Sequence, residues 1–571
     1  MSATIVPKGK PILGFNKEPR GNGRPFKKRK IQEKPTREGS SEEILLIDVR
    51  DLLAAQALED AVIREPEDLK PLDNLPEPFT EIDLTVTELS STGDGLALAP
   101  SSSHVYVVPF AVPGDRITAK VIRHTKNENY SIADFVRVLE PSPLRDDSRI
   151  KCQYFSTCAG CQFQMLSYDT QLAYKKRIVE KAFKNFSGLN PELVPPISDT
   201  IGSPLQYGYR TKLTPHFDGP PGWKRHKKPF ESVPPIGFMK KGMRKTIDIE
   251  DCPIGTDAVR EGMKKERIRV AENIQSYNKG ATLLLRESTK RVPKSQTEGV
   301  SPTRTEGGTE EVKGKAHAIR RDYGNYVEEK TCITDSTASS REYVDDFIFE
   351  NPAGAFFQNN NSILPIFTDY VRRNLRLPSI SDTSHSQGEI NYLVDAYCGS
   401  GLFTITCSDP FTQTAGIDIS ADSISFAHRN AKLNSLPPTK TTFVAADAPA
   451  LFADITFPAS ETAVIIDPPR KGCDEGFLRQ LVAYAPRRIV YVSCNVHTQA
   501  RDVGFLMREG GGYVLESVRG FDFFPQTGHV ESVAILIRKG DNQDHLATGL
   551  GVAKEDGENQ AIVREGIDLC A

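Results

Sequence analysis

Two residues near the C-terminus, Cys494 and Glu531, have the types and settings that nucleophilic and acid–base chemistry require. Cys494 follows the apolar run Ile489–Ser493 and precedes a predicted helix, whose N-terminus would favour a thiolate. Glu531 begins an otherwise apolar strand, where partial removal from water would prepare its carboxylate to take a proton. A buried structural cysteine and a solvated glutamate are the ordinary alternatives. A nucleophile and a base together predict covalent catalysis.

Two further motifs at predicted strand ends indicate a nucleoside-binding edge. Residues Asp395–Gly401 (DAYCGSG) form a strand followed by a Gly-x-Gly turn, which lets a ligand approach the backbone closely. Asp418 ends the next strand about twenty residues later, where a carboxylate can accept both hydroxyls of a ribose. The third glycine of the dinucleotide fingerprint is absent, since Leu402 follows the turn. The pattern therefore favours a nucleoside without a pyrophosphate, and S-adenosylmethionine fits.

The motif that begins at Asp467 suggests which atom is modified. Pro468 and Pro469 follow Asp467 and leave a rigid edge without N–H donors. In methyltransferases this edge faces the acceptor base. An aromatic residue after the prolines suits exocyclic amines, whereas Arg470 favours a different acceptor atom.

The reaction that uses all of these groups is methylation of a pyrimidine at C5. A thiolate adds to C6, C5 attacks the sulfonium methyl group, and a base removes the C5 proton. Cys494 is the expected nucleophile and Glu531 the expected proton acceptor. The pyrimidine must leave its stack to reach such a pocket.

The elements that must position these residues alternate between strands and helices in residues 346–539. This alternation predicts an α/β fold with a parallel, Rossmann-like sheet. Upstream, residues 79–141 contain short alternating strands broken by turns, which predict a small β-barrel of a kind that often binds oligonucleotides. Residues 142–345 form a central α+β region, in which residues 290–316 are polar and are interpreted as a disordered insertion.

The charges of the 571 residues are distributed unevenly. The net charge is −3, but residues 1–39 hold eleven Lys and Arg against three Glu, a local net of +8. We expect residues 1–78 to be a disordered basic extension with a docking helix at 42–63, and 540–571 to be a disordered tail. The run Arg24–Lys30 indicates nuclear import or an RNA-grasping arm, and a solvated tail is the alternative.

Composition and targeting signals narrow the remaining possibilities. No stretch resembles a membrane span, and ten cysteines are too few for a disulfide scaffold. We expect a monomer in the nucleus, the cytoplasm or both, although an early basic, acid-poor segment is also compatible with mitochondrial targeting.

These motifs resemble the RNA 5-methyluridine methyltransferase family over roughly residues 80 to 539. In that family the barrel is an RNA-binding TRAM domain, and the segment Phe356–Asn360 (FFQNN) matches a cofactor-binding motif. The resemblance implies that S-adenosylmethionine or the substrate is bound by four residues, namely Gln358, Tyr397, Asp418 and Asp467. It also matches Cys494 to the nucleophile and Glu531 to the base. Asp418 stands where the family usually has Glu, and Val496 stands where Pro usually follows Asn495; neither change removes a reacting group.

The extra segments of the chain suggest a fungus-like member that makes ribothymidine in the T-loop of tRNA, at position 54. Ribosomal RNA is an alternative substrate. A further alternative is an RNA-folding or scaffold protein that keeps a methyltransferase-like fold.

Four cysteines form a separate candidate metal site. Cys152, Cys158 and Cys161 lie within ten positions, and Cys252 is a distant fourth. Three close thiolates with a remote one are typical of cluster ligands, although four thiolates could also bind zinc. Some members of the family that the chain resembles hold a [4Fe-4S] cluster at closely similar spacing.

Overall fold

The computed structural model describes residues 37–63, 75–99, 104–125, 128–220, 229–294, 318–376, 389–446, 452, 455–510 and 512–539. The basic run Arg24–Lys30, the tail 540–571 and most of the predicted insertion 290–316 lie outside these ranges. Residues 290–293 differ from the prediction, because they complete a strand that ends at Pro293 and pairs with Tyr326–Ile333.

The N-terminal part of the described chain is one helix docked on a closed five-stranded barrel. Helix α1 spans Ser41–Ile63. The barrel strands are β1 (Glu81–Leu89), β2 (Gly95–Leu98), β3 (Val105–Val108), β4 (Arg116–His124) and β5 (Tyr130–Glu140), and they are joined in the order β1-β2-β3-β5-β4. In β1, buried and exposed residues alternate, as expected for a strand with one face on a core. Val49 and Leu52 of α1 pack on the outer apolar side of β2 and β3.

Helix α2 (Tyr168–Phe186) and strand β6 (Ser198–Ile201) follow the barrel. Although their sequence positions fall in the predicted central region, both pack on the C-terminal sheet, where β6 pairs with its outermost strand. Burial of Ile178, Val179 and Phe183 against that sheet explains the placement, because these residues form one apolar stripe of α2.

The central region consists of small antiparallel sheets around helix α3 (Asp257–Glu272). Its strands before residue 295 are β7 (Lys212–Leu213), β8 (His216–Phe217), β9 (Gly237–Met239), β10 (Thr246–Asp248), β11 (Ala281–Thr282) and β12 (Leu285–Pro293). Its later strands are β13 (Ile319–Asp322), β14 (Tyr326–Ile333), β15 (Ser339–Val344) and β16 (Phe347–Pro352). The sheet orders are β10-β9-β8-β11, β13-β14-β12-β7 and β15-β16.

The C-terminal region is a sheet with helices on both faces. Its helices are α4 (Leu364–Asn374), α5 (Leu402–Thr406), α6 (Ala421–Leu433), α7 (Glu475–Tyr484) and α8 (Val496–Glu509). Its strands are β17 (Tyr392–Ala396), β18 (Gln413–Asp418), β19 (Thr441–Ala445), β20 (Thr462–Ile466), β21 (Arg488–Ser493), β22 (Tyr513–Phe521) and β23 (Glu531–Arg538). With β6 they form one sheet in the order β19-β18-β17-β20-β21-β23-β22-β6.

The C-terminal sheet confirms the predicted α/β class. Strands β17 to β21 are parallel, and β23 runs antiparallel to β21 and β22. β20 and β21 are buried throughout, which explains their continuous apolar sequences. Apolar clusters lie on both faces, with α2, α7 and α8 on one face and α4, α5 and α6 on the other. Within the described residues, no helix is long and apolar enough to cross a membrane.

Candidate active site

Strand register brings Cys494 and Glu531 together. Ser493, the last residue of β21, pairs with Ser532 of the antiparallel strand β23. Cys494 follows Ser493 and Glu531 precedes Ser532, so the two side chains belong to opposed positions at one end of the sheet. The nucleophile and the base of the predicted reaction therefore lie on adjacent strands.

Asp467 and Tyr397 belong to the same edge of the sheet. Ile466 at the end of β20 pairs with Ala396 at the end of β17, and Asp467 N donates to Ala396 O at 3.4 Å. Because parallel strands end at the same edge, Tyr397 and Asp467 follow side by side. Asp467 is close enough to Cys494 to affect its pKa, whereas the ring of Tyr397 packs on Phe477.

The environment of Cys494 favours the thiol over the thiolate. Burial raises the pKa of Cys494 to about 12, and the carboxylates of Glu531 and Asp467 add to that rise, while the guanidinium of Arg470 opposes it. The N-terminus of α8 was expected to favour a thiolate, but burial and the two nearby carboxylates raise the pKa of Cys494 instead.

The carboxyl group of Glu531 has a pKa close to neutrality. Glu531 is 4% exposed, and burial raises its pKa to about 7 against the opposing charge of Arg470. Burial, Glu531 and Asp395 together raise the pKa of Asp467 well above its ordinary value. A group with a pKa near neutrality is well matched to general acid–base work at physiological pH.

Arg470, His529 and Asn495 surround the nucleophile and were not among the predicted site residues. Arg470 Nη2 lies 3.1 Å from His529 Nδ1, and burial lowers the pKa of this imidazole to about 4. Asn495 Nδ2 donates to Arg470 O at 2.9 Å, and its Oδ1 accepts from His497 N at the start of α8. The position of Arg470 directly after the Asp-Pro-Pro motif was the sequence signal that could have identified it.

The predicted nucleoside-binding edge lies at the turn after β17. Gly399 has φ +54° and its N–H donates to Asp418 Oδ2 at 2.9 Å, while Ser420 N donates to Asp418 Oδ1 at 2.8 Å. The space into which a Cβ at Gly399 would project is open, and the neighbouring Ile419 is 71% exposed. An oriented carboxylate beside open space and an apolar surface suits a ribose with its attached base.

Asp395, the residue two positions before Tyr397 at the end of β17, accepts hydrogen bonds from the segment that follows this turn. Its Oδ2 accepts from Thr404 N at 2.8 Å and from Thr404 Oγ1 at 2.6 Å, which holds the start of α5. Burial raises the pKa of Asp395 to about 7, and its Oδ1 is buried without a hydrogen-bond partner among the described residues.

Gln358 lies in the segment 356–360, which contacts the loop between β22 and β23 through Asn360. Its neighbour Asn360 donates to Ser203 Oγ at 3.0 Å and to Phe523 O at 3.1 Å. Gln358 itself is 8% exposed, and Phe356 is 77% exposed. This links the Phe356–Asn360 motif to the segment that leads into Glu531.

A cavity of about 350 Å³ opens at the nucleophile. Cys494, Asn495, Arg470 and Lys471 line one side of it, and Gly528–Val530 lie beside them. Further wall residues come from distant parts of the chain, namely the segment from Arg37 to Ile44, the barrel loop at Ser91 and Thr92, residue Gln162, and Ile178 of α2. The barrel and the start of α1 therefore border the cavity at Cys494.

The four candidate cluster cysteines lie in one neighbourhood apart from the sheet edge. Cys158 and Cys252 belong to a single apolar cluster, and Cys161 shares electrostatic interactions with the other three. All four thiols are free, and burial raises the pKa of each. Among the residues that the structure describes, no group of three or more His, Cys, Asp or Glu side chains is arranged to hold a metal ion.

Comparison with protein families and with curated proteins agrees with this geometry. The family profile described as "tRNA (Uracil-5-)-methyltransferase" matches residues 342–539. The chain is 45% identical over 508 residues to a Schizosaccharomyces pombe protein named tRNA (uracil(54)-C(5))-methyltransferase, covering 88% of this chain and 85% of the relative. It is 43% identical over 485 residues to a Saccharomyces cerevisiae protein of the same name, covering 79% and 73%.

Among solved structures, the chain resembles the Pyrococcus abyssi tRNA (uracil-54, C5)-methyltransferase in complex with S-adenosyl-L-homocysteine. The TM-score is 0.55 at 23% identity, and the match covers 80% of this chain and 100% of that one. At this identity the similarity establishes the shared fold.

Proposed function

The chain belongs to the tRNA (uracil-5-)-methyltransferase family, and from this premise we propose that it methylates C5 of the T-loop uridine at position 54 of tRNA. The methyl donor is S-adenosylmethionine. The observation that carries the proposal is the register of β21 and β23, by which Cys494, a residue that lines the cavity, stands opposite Glu531.

The turn after β17 fits the donor. Asp418 is already oriented by two backbone N–H groups, yet each of its oxygens keeps a lone pair for a ribose hydroxyl. The open space at Gly399 and the exposed Ile419 are suited to the nucleoside. Tyr397, Gln358 and Asp467 are proposed to complete the binding of donor and substrate. When bound, S-adenosylmethionine supplies an electrophilic methyl group.

We propose that Cys494 and Glu531 perform the covalent steps. The Cys494 thiol loses its proton to solvent, and its sulfur forms a bond to C6 of uracil, which moves the C5–C6 π electrons toward C5. C5 then uses these electrons to form a bond to the methyl group, whose bond to the sulfonium sulfur breaks with its electron pair left on that sulfur. Glu531 removes the C5 proton, the electrons of that C–H bond restore the C5–C6 double bond, and the sulfur leaves as thiolate. Protonated Glu531 returns a proton to Cys494, so the net reaction releases one proton.

Arg470 supports the first step. Burial raises the pKa of Cys494 and of Glu531, and the positive charge of the Arg470 guanidinium partly offsets that rise. Stabilising the thiolate and the carboxylate at the same site favours both the attack on C6 and the later proton removal.

The decisive experiment uses tRNA that contains 5-fluorouridine at position 54. Fluorine cannot leave as a proton does, so a covalent adduct should accumulate on the wild-type enzyme and remain during denaturing electrophoresis. Cys494→Ala should form no adduct and no 5-methyluridine, whereas the remote half-buried cysteine variant Cys332→Ala should behave as wild type. Absence of an adduct with the wild-type enzyme would refute the mechanism.

A second substrate, ribosomal RNA, is the alternative to test in parallel. Transferring a labelled methyl group to unmodified tRNA, to the same tRNA with cytidine at position 54, and to ribosomal RNA fragments separates the two. The proposal expects label only in the first. Label in the ribosomal fragments alone would keep the uridine chemistry and change the substrate.

We further propose that Cys152, Cys158, Cys161 and Cys252 hold a [4Fe-4S] cluster. The support is the donor set, four free thiols in one partly buried neighbourhood. A cluster binds each thiolate to a different iron, so it does not need the sulfurs gathered on one ion as zinc does. Protein purified without oxygen should contain about four irons per chain, and Cys161→Ser should lose them. Stoichiometric zinc, or no metal, would refute this proposal.

A further inference from the structure

Helix α1 joins the barrel to the catalytic region at a buried contact centred on Asp48. Asp48 is 2% exposed, and its carboxylate accepts from Ser91 N at 2.6 Å and Ser91 Oγ at 3.1 Å. The Nζ of Lys181, a residue of α2, lies 3.3 Å from Oδ1 of the same carboxylate. Asp48 therefore connects three separate elements, namely α1, the β1–β2 loop and α2.

The residues that lead into α1 contact side chains that follow the nucleophile in sequence. Gly39 O accepts from Asn495 Nδ2 at 3.2 Å, and Asn495 is the residue directly after Cys494. Glu38 pairs with Arg501 of α8 at 3.3 Å. Gly39 has φ +68°, and a Cβ there would lie 2.4 Å from Thr498, so the approach is close enough to require glycine.

The β1–β2 loop, which Asp48 contacts through Ser91, is connected to the loop that precedes Glu531. Thr92 O accepts from Gln162 Nε2 at 2.8 Å, and Gln162 Oε1 accepts from Gly528 N at 3.0 Å. Gly93 and Gly528 are packed backbone to backbone, since a Cβ at Gly528 would lie 3.1 Å from Gly93 Cα. A hydrogen-bonded path therefore runs from α1 through the barrel to the loop that ends at Glu531.

These contacts give the cavity at Cys494 a wall that neither the barrel nor the catalytic sheet supplies. We propose that residues Arg37–Ile44 form the third wall of the RNA cleft, and that Asp48 is the positioning residue that fixes this wall and the barrel loop over the nucleophile. The partner is the folded RNA that carries the target uridine, so the inference rests on the proposed function. This wall contributes to binding of the RNA, while the chemical steps remain with Cys494 and Glu531.

The first test is steady-state methylation of unmodified tRNA by the full-length protein. Asp48→Ala should raise KM for tRNA roughly tenfold, which corresponds to about 1.4 kcal/mol, and should leave kcat within about twofold. Asp48→Asn keeps an acceptor for Ser91 and should recover part of the effect. The matched control is Arg50→Ala on the same helix, whose pair with Glu128 is exposed and contributes little.

The outcomes separate the two proposals. If the wild-type protein methylates no RNA, the proposed function fails. If the wild type is active and folded Asp48→Ala keeps its KM, only the third wall is refuted. A rise in kcat/KM on loss of Asp48 would also refute it, because the segment would then block the cleft instead of forming part of it.

A second measurement does not depend on the stability of Asp48→Ala. Ser41 is exposed and lines the cavity, so a photoreactive amino acid placed there should cross-link to bound tRNA near the target uridine. The same group at the exposed Lys264 of α3 is the control. Arg37→Glu, a surface charge reversal at the cavity, should raise KM for tRNA roughly fivefold, about 1 kcal/mol. No cross-link at position 41 and an unchanged KM would overturn the proposal.

Discussion

Replacement of Glu531 by Gln should separate the first half of the reaction from the second. Gln has nearly the same shape as Glu but cannot take the C5 proton. Loss of a positioned base costs about 10² to 10⁴ in rate, so kcat should fall by that factor. The loss should fall on the step in which the covalent adduct breaks down.

The environment of Cys494 predicts the opposite effect on the addition step. The charge of Glu531 is one of the causes that raise the pKa of Cys494 to about 12, and the Gln variant removes it. Formation of the sulfur–C6 bond should therefore proceed at least as fast as in the wild type. The combined result is accumulation of an enzyme–RNA adduct that already carries the new methyl group.

Rapid mixing with labelled tRNA and denaturing electrophoresis would measure both steps. A double label, in the RNA and in the methyl group, would show that the trapped adduct is methylated. Glu509→Gln, at the exposed end of α8, is the control and should turn over normally. Loss of turnover in Glu531→Gln without an accumulated adduct would show that Glu531 acts before methyl transfer, which would refute the assignment.

Three further predictions follow from the cofactor edge, the site carboxylate and the buried ion pair beneath the catalytic loop. Because the carboxylate of Glu531 must be ionised and burial raises its pKa to about 7, the rate of adduct breakdown in single-turnover experiments should rise about tenfold per pH unit below 7; a breakdown rate independent of pH between 5.5 and 7 would argue against Glu531 as the base. Asp418→Ala should weaken binding of S-adenosylmethionine roughly 10- to 100-fold in calorimetry, since each hydrogen bond to a charged group contributes about 1.5–3 kcal/mol; unchanged affinity would remove Asp418 from the site. Lys175→Met should lower the free energy of unfolding by about 3–5 kcal/mol, because it leaves the charge of the fully buried Asp522 unpaired; Lys176→Met, at a half-exposed position of the same helix, is the control, and equal unfolding midpoints would contradict this reasoning.

Local sequence was sufficient to predict most of the catalytic edge. Continuous apolar runs such as Thr462–Ile466 are characteristic of buried parallel strands, and functional groups collect where such strands end. The motifs at Asp395–Gly401, Asp467 and Cys494 could therefore be assigned to one edge without coordinates. The helix at 42–63 was also recognisable from its spacing, and the structure extends it from Ser41 to Ile63.

Properties that depend on distant parts of the chain could not be predicted in the same way. The helix N-terminus next to Cys494 indicated a thiolate, yet burial together with Glu531 and Asp467 raises the pKa of the thiol. Strand β6 lies far from the catalytic motifs in sequence but completes their sheet. The sequence did not identify what the docking helix binds, whereas the structure packs its apolar face on the barrel.

The sequence by itself determined the reaction, because the types of the reacting groups and their places at strand ends are local properties of the chain. The tertiary structure decided how those groups are tuned and enclosed. Desolvation and charge–charge interactions depend on every group nearby, whatever its position in the sequence. The pKa values of Cys494 and Glu531, the place of Arg470 beside them and the cavity wall at Arg37–Ile44 therefore depend on separate segments that pack together.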